Sequence, residues 1–398
     1  MVDKVTYADI LKMIRGTSIT LINEDIHRVL AGKAFITKKV VLHFHPDLDA
    51  MAAYWLARQL PGTFIGIETA PIEFWPQGPP PDGRDAFEHE REGTICFDVG
   101  QGPFDHHPHG KDLKKCALDL VADFVGASNF RPLQQILGYI RMHDLEGPTV
   151  LSRSLREMGI AEETVSRAML LETNSLVSVI SHMQHKLTDS LQLVNWVCGQ
   201  LSSAFQSQLY FWTVLDLEFK EKALVIPVSD GSRIYKVTVI DSNLRRIGSF
   251  TRTDEGGFCA VCIHRMPKTG FVFISGTLES AQNIEIAKFL RIWEMQKRGI
   301  SLPFYWEELT QSTMPACPSW YLPLDIHGNV YIIMNGGDKA TAVEPTVLTL
   351  EDIFQAVRWG IDERILHESC PGDHCLGLAC GFYPFGLNRC HRIRQQSN

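Results

Sequence analysis

The stretch Val40-Val41-Leu42-His43-Phe44-His45-Pro46-Asp47-Leu48-Asp49 constrains this chain more than any other. Its short β-branched apolar run reads as a buried strand. The run passes through His43 into a proline-containing loop and meets Ala50–Arg58, which reads as a helix. A histidine and two aspartates, at offsets 0, 4 and 6, therefore stand where a strand ends and a helix begins. Thr63–Ile67 is a second strand candidate, and Thr94-Ile95-Cys96-Phe97 is a third that runs into Asp98. Pro132–Met142 reads as a helix leading into His143-Asp144. Strands alternating with helices predict an α/β domain with a largely parallel sheet. In such sheets ligands gather beyond the carboxyl ends of the strands. Residues 71–93 are rich in Pro, Gly and charge, with Gly78 followed by three prolines, and read as a surface loop.

At 398 residues the chain is long enough for two domains, each with its own core. The expected division is an N-terminal extension over 1–37 with a short helix at Tyr7–Ile14, an α/β domain over 38–186, a linker helix over 187–222, a smaller α+β domain over 223–345, and a Cys-rich segment over 346–398. In the linker, Leu187, Leu191, Val194, Cys198, Leu201, Phe205, Trp212, Leu215 and Phe219 fall on steps near three and four, interrupted by Gln208. Such a helix would reach roughly 50 Å. Gly199 and the apolar flank Tyr210-Phe211 favour burial between domains over a coiled-coil homodimer seam. Beyond it, Ala223–Pro227, Tyr235–Ile240, Phe258–Ile263 and Phe271–Ile274 read as strands and Ala281–Lys297 as a helix.

A net charge of −8 argues against a protein that coats long duplex nucleic acid by charge alone, but leaves room for a local groove for a short single strand. No apolar run approaches membrane-spanning length, so no membrane partner is expected. The first residues, Met-Val-Asp-Lys, contain an early acid and no apolar core segment, so neither a secretory signal nor a transit peptide is expected and a cytoplasmic location is the default. In a reducing compartment the 10 cysteines are expected as core residues or metal ligands rather than disulfides.

Three stretches read together as one dinuclear metal site: His43 to Asp49, then Asp98, then Asp105-His106-His107. Carboxylate oxygens mixed with a few imidazoles suit two Mn²⁺ ions, with Mg²⁺ or Co²⁺ as alternatives, better than a thiolate metal. Two such ions close together activate a water for attack on phosphorus. His45 and His109 are expected as solvated loop residues, with lining of the phosphate site as the alternative for either.

These motifs resemble those of the DHH phosphoesterase superfamily, named for the Asp-His-His at 105–107. The superfamily includes RecJ-type single-strand exonucleases, nanoRNases, family II inorganic pyrophosphatases and cyclic-dinucleotide phosphodiesterases. The tight run from Asp98 to His107 is similar to the branch containing an organellar RNA exonuclease and its bacterial relatives. The resemblance spans about 40–150 and is faint over 223–300. It implies that His43, Asp47 and Asp98 hold one metal, and that Asp49, Asp98, His106 and Asp144 hold the other, with Asp98 bridging. It further implies that His107 meets the scissile phosphate and that Asp105 orients an imidazole from behind. Nucleases of the superfamily often carry a Gly-Gly-Gly-His run in the second domain. This chain has none, and Ser275-Gly276-Thr277 is its nearest Gly-containing turn. Arg265 and Lys268 are candidate phosphate contacts; the alternative is an ordinary solvated hairpin turn.

Cys370, Cys375, Cys380 and Cys390, with His374 and His391, crowd the last residues. They suggest a structural Zn²⁺ site or an iron–sulfur cluster, against packed free thiols. Their spacings, with four, four and nine intervening residues, are not the paired Cys-x-x-Cys of common zinc modules. Arg389, Arg392 and Arg394 add a basic end. Cys259 and Cys262 lie within a strand candidate and are expected in the core. The leading reading is a metal-dependent phosphodiesterase acting on short single-stranded oligonucleotides or cyclic nucleotides. The alternatives are a small-phosphate hydrolase and a nucleotide sensor using the same pocket. An HD-type phosphohydrolase built on His143-Asp144 is disfavoured, because His43 sits at a strand end.

Overall fold

The computed structural model describes residues 34–107, 114–187, 189–301, 306–337 and 343–362. The chain is mixed α/β and divides into two compact units between Leu209 and Tyr210. The helix expected at Tyr7–Ile14, His109 and the C-terminal cysteines lie outside the described residues.

The first unit contains β1 (Phe35–Ile36), β2 (Lys39–His43), β3 (Phe64–Ile65), β4 (Ile72–Trp75) and β5 (Thr94–Cys96). β2 is the centre of a parallel sheet ordered β4-β2-β5, and β1 pairs with β3 in a separate parallel pair. Val40, Val41 and Leu42 are fully buried, as a central strand covered on both faces requires. The Leu48–Arg58 helix starts at Asp47, whose side chain accepts the Ala50 N–H at 3.0 Å and so satisfies one orphan donor. It is buried from Leu48 to Ala57. Four alanines among these residues allow close approach to the Ala117–Phe124 and Ser190–Leu209 helices. Beneath the site, Phe97 stacks on Phe104 at 5.6 Å, and Phe104 meets Phe124 edge-on at 5.4 Å. This aromatic pair and the Asp98 N–H to Phe104 carbonyl bond of 2.9 Å close the 98–104 loop on itself.

Several local expectations need correction. Residues 71–93 are not a continuous loop: β4 precedes the proline run, and an Ala86–Glu92 helix capped by Asp85 follows it. The strand expected over Thr63–Ile67 shrinks to two residues. His143 and Asp144 lie inside the Arg131–Glu146 helix rather than after it. The long helix is three consecutive segments: Ser190–Leu209, a π-helical turn Tyr210–Val214, and Leu215–Lys222. Leu187 instead caps the end of Leu176–Lys186, and Leu191 is exposed.

The second unit is built on a five-stranded mixed sheet of β6 (Leu224–Ser229), β7 (Ile234–Asp241), β8 (Val261–Arg265), β9 (Val272–Gly276) and β10 (Ile332–Asn335). Its order is β10-β9-β8-β7-β6, with only β7 and β8 parallel. Alternation along β7 and β8 separates two cores. Val237, Val239, Val261 and Ile263 pack with the Ser280–Lys297 and Leu350–Ile361 helices. Ile240 and Cys262 pack with Phe211, Leu215, Ile247 and Phe250. Cys259 lies just before β8, not within it, and both it and Cys262 are buried free thiols. Among the described residues no helix is long and apolar enough to cross a membrane.

Candidate metal centre

The first unit gathers its chemistry at the carboxyl ends of β2 and β5. His43 is the last residue of β2, Asp47 caps the following helix, and Asp49 lies in that helix's first turn. Asp98 stands two residues beyond the end of β5, and Asp144 reaches in from the Arg131–Glu146 helix. Asp98 sits at φ +58°, a left-handed conformation that aspartate tolerates better than most residues. Gln101 repeats it at φ +58°, so the loop between β5 and Asp105 turns tightly enough to aim the Asp98 carboxylate inward.

These residues form three trios in which each offers a ligand atom within 4.8 Å of the others: His43, Asp47 and Asp98; Asp49, His106 and Asp144; and Asp98, His106 and His107. Asp98 and His106 each belong to two of the three. Asp98 Oδ2 lies 3.6 Å from His43 Nε2, and Asp98 Oδ1 lies 3.3 Å from both His106 Nε2 and His107 Nδ1. His106 Nε2 is also 3.5 Å from Asp144 Oδ2 and 4.0 Å from Asp49 Oδ2. His43, Asp47, Asp49, Asp98, His106 and Asp144 thus come together in groups that could hold a metal ion.

The contacts are close but poorly aligned. Both Asp98 oxygens, His106 Nε2 and Asp144 Oδ2 are buried without a hydrogen-bond partner. Asp49 and Asp98 are almost fully buried, and no Lys or Arg among the described residues forms an ion pair with Asp49, Asp98 or Asp144. Buried carboxylates are ordinarily paired or metal-bound. The donor set of hard oxygens and imidazoles, with unsatisfied atoms converging, fits divalent cations.

The ionisations carry the same strain. Burial pushes the Asp49 carboxyl well above its usual range, and the charges of Asp98 and Asp144 push it further. Asp144 is pushed up to about 6, chiefly by burial. The nearby Asp98 carboxylate raises His106. It also raises His107, which is pushed up to about 9 with help from Asp105. Burial alone would lower His43, but Asp47 and Asp98 outweigh it and hold it above its ordinary value.

Asp105 orients His107 rather than His106: its Oδ1 meets His107 Nδ1 at 3.0 Å and accepts the His107 N–H at 3.0 Å. Its Oδ2 accepts the Gln101 N–H at 2.8 Å. His107 also belongs to one of the three trios, whereas the resemblance assigned it to the scissile phosphate. His45 is exposed, as expected. His143 is buried edge-on to Tyr139 and belongs to none of the trios. Gln184, unmarked in the sequence, donates to the His45 carbonyl at 3.1 Å and the Pro46 carbonyl at 2.9 Å, steadying the loop that delivers Asp47. Nothing in its spacing signals this, because the partners are backbone atoms of a distant loop.

Arg265 and Lys268 belong to the second unit. Arg265 is committed to Asp241 by two bonds of 2.7 and 2.6 Å, and the Lys268 N–H donates to Asn243 at 3.0 Å. The candidate tail ligands Cys370, Cys375, Cys380 and Cys390, with His374 and His391, lie outside the described residues. A search of protein families finds no match to this sequence, and a search of curated proteins finds none either.

Proposed function

We propose that this chain is a divalent-metal-dependent phosphodiesterase acting on short single-stranded oligonucleotides or cyclic nucleotides. One observation carries the reading. Four buried polar atoms of Asp98, His106 and Asp144 lack partners in a cluster that also holds His43, Asp47 and Asp49. His43, Asp47 and Asp98 would hold one ion; Asp49, His106, Asp144 and the shared Asp98 would hold the other. Bound there, Mn²⁺ or Mg²⁺ would supply an activated water and neutralise charge on phosphate.

The chain's own groups fit the remaining tasks. His107 is half-exposed, and the neighbouring Asp98 and Asp105 carboxylates favour its charged form. With Nδ1 engaged by Asp105, its Nε2–H is left to meet an anionic phosphate oxygen. Asp105 fixes the orientation of that ring. The aromatic floor of Phe97 and Phe104 keeps water from the site's underside.

The test is hydrolysis of bis-p-nitrophenyl phosphate by chelator-stripped protein, with and without added Mn²⁺. A screen of short RNA, short DNA, cyclic dinucleotides and pyrophosphate should follow. Mn²⁺-dependent turnover of a diester supports the proposal. Turnover confined to pyrophosphate would make the chain a small-phosphate hydrolase, and nucleotide binding without turnover would make it a sensor.

A further inference from the structure

Resting on that reading of the site, we infer that Asp119 and Arg141 are positioning residues that set the spacing between Asp49 and Asp144. The inference starts from an unusual use of a helix start. The first N–H groups of a helix have no partner within it. In the Ala117–Phe124 helix two of them are taken by the ligand Asp49: Ala117 N–H donates to Oδ2 at 2.6 Å and Leu118 N–H to Oδ1 at 2.9 Å. Both oxygens of Asp49 are therefore aimed by the backbone of another helix, and the partial positive charge at that helix end favours the carboxylate.

That helix start is itself held from outside. Asp119 is buried, and its Oδ2 accepts the Cys116 N–H at 3.1 Å, fixing the first turn. Its two oxygens also receive Arg141, with Nε at 2.7 Å and Nη2 at 2.5 Å. A two-bond guanidinium–carboxylate contact fixes orientation as well as distance. Arg141 stands three residues before Asp144 on the Arg131–Glu146 helix, so both project from neighbouring positions on one face. One unbroken path then runs from Asp49, through the amides of 117 and 118, through Asp119 and Arg141, to the helix bearing Asp144. Its two ends are the carboxylates that flank His106 Nε2, at 4.0 and 3.5 Å. The pair spans the width of the Asp49–His106–Asp144 trio and touches nothing in the His43–Asp47–Asp98 trio.

A purely structural role makes a different forecast. The Arg141 side chain is 45% exposed but its partner Asp119 is buried, so a merely structural pair would on removal lower folding stability without favouring either ion. A role in spacing ligands should appear in metal affinity, and for one ion only. The experiment is a Mn²⁺ titration of chelator-stripped wild type, Arg141→Ala and Arg141→Lys, followed by calorimetry and by electron paramagnetic resonance of the bound ions. In Arg141→Ala one Mn²⁺ equivalent should weaken by about 10–100-fold, the range expected when a group supporting a ligand is lost, while the other is unchanged. Arg141→Lys, which keeps the charge without the fork, should fall between. Because the guanidinium is half-exposed, low-millimolar guanidinium should restore much of the lost affinity in Arg141→Ala, and the same concentration of NaCl should not. A titration identical to wild type, or equal weakening of both equivalents together with a lower melting temperature of metal-free protein, overturns the inference. Wild type that binds no Mn²⁺ overturns the reading of the site beneath it, and is distinguishable from either result.

Discussion

Asp98→Asn is the sharpest perturbation of the site. Asp98 is the only residue common to the trio with His43 and Asp47 and the trio with His106 and His107, and neither of its oxygens has a hydrogen-bond partner. Asparagine keeps the shape and tolerates φ +58°, whereas alanine would add about 1–2 kcal/mol of left-handed backbone strain and blur the result. At a Mn²⁺ concentration of 100 times its Kd, one bound ion stabilises the folded state by about 2.7 kcal/mol. At roughly 2–4 °C per kcal/mol for a unit of this size, one ion raises the melting temperature by roughly 5–11 °C. Asp98→Asn should abolish this rise for both ions. Asp47→Ala removes a half-exposed member of one trio, so it should abolish the rise for one ion only. Loss of several kcal/mol of transition-state stabilisation corresponds to a fall in turnover of about 10³-fold. Thermal melts with and without Mn²⁺, paired with diester hydrolysis, read both quantities. An Asp98→Asn protein that keeps the Mn²⁺-dependent melting shift and near-normal turnover refutes the shared-ligand argument.

Two further predictions concern the second unit. Arg291 is fully buried and donates to the carbonyls of Leu309, Gln311, Ser312 and Trp320. Arg291→Met should cost about 3–5 kcal/mol in urea unfolding, because four acceptors lose their donor together, while Mn²⁺ titration stays as in wild type. An unchanged unfolding midpoint would show that the carbonyls find other partners. His264 is held below its ordinary value of 6.5 by burial, with Nε2 against the Ser242 carbonyl at 2.7 Å. The unfolded chain takes up a proton there as pH falls through about 6.5 and the folded chain does not, so this contribution to stability is present above that pH and lost below it. His264→Gln should flatten the pH dependence of the melting temperature between pH 7 and pH 5; a slope equal to wild type would place the titration elsewhere.

The candidate site residues were legible in the sequence because each is a side chain at a place the local pattern marks. His43 closes an apolar run, Asp47 and Asp49 open a helix, and Asp98 follows a later apolar strand. Local elements became obscure where punctuation outweighed pattern. β4 is four residues long and stands just before the proline run, so composition hid it. The extra residue absorbed by the π-helical turn at Tyr210–Val214 shifts the apolar rhythm that made 187–219 look like one helix. The frame around the ligands left no trace at all. Asp49 is aimed by the amides of Ala117 and Leu118, and a backbone N–H has no residue type to betray it. The link that spaces Asp49 from Asp144 joins Asp119 to Arg141 across 22 residues, with each partner resembling an ordinary charge on a helix. A sequence can therefore announce which atoms would meet a metal while staying silent on what holds them apart. That spacing decides whether a cluster of acids and imidazoles binds an ion tightly enough to use it.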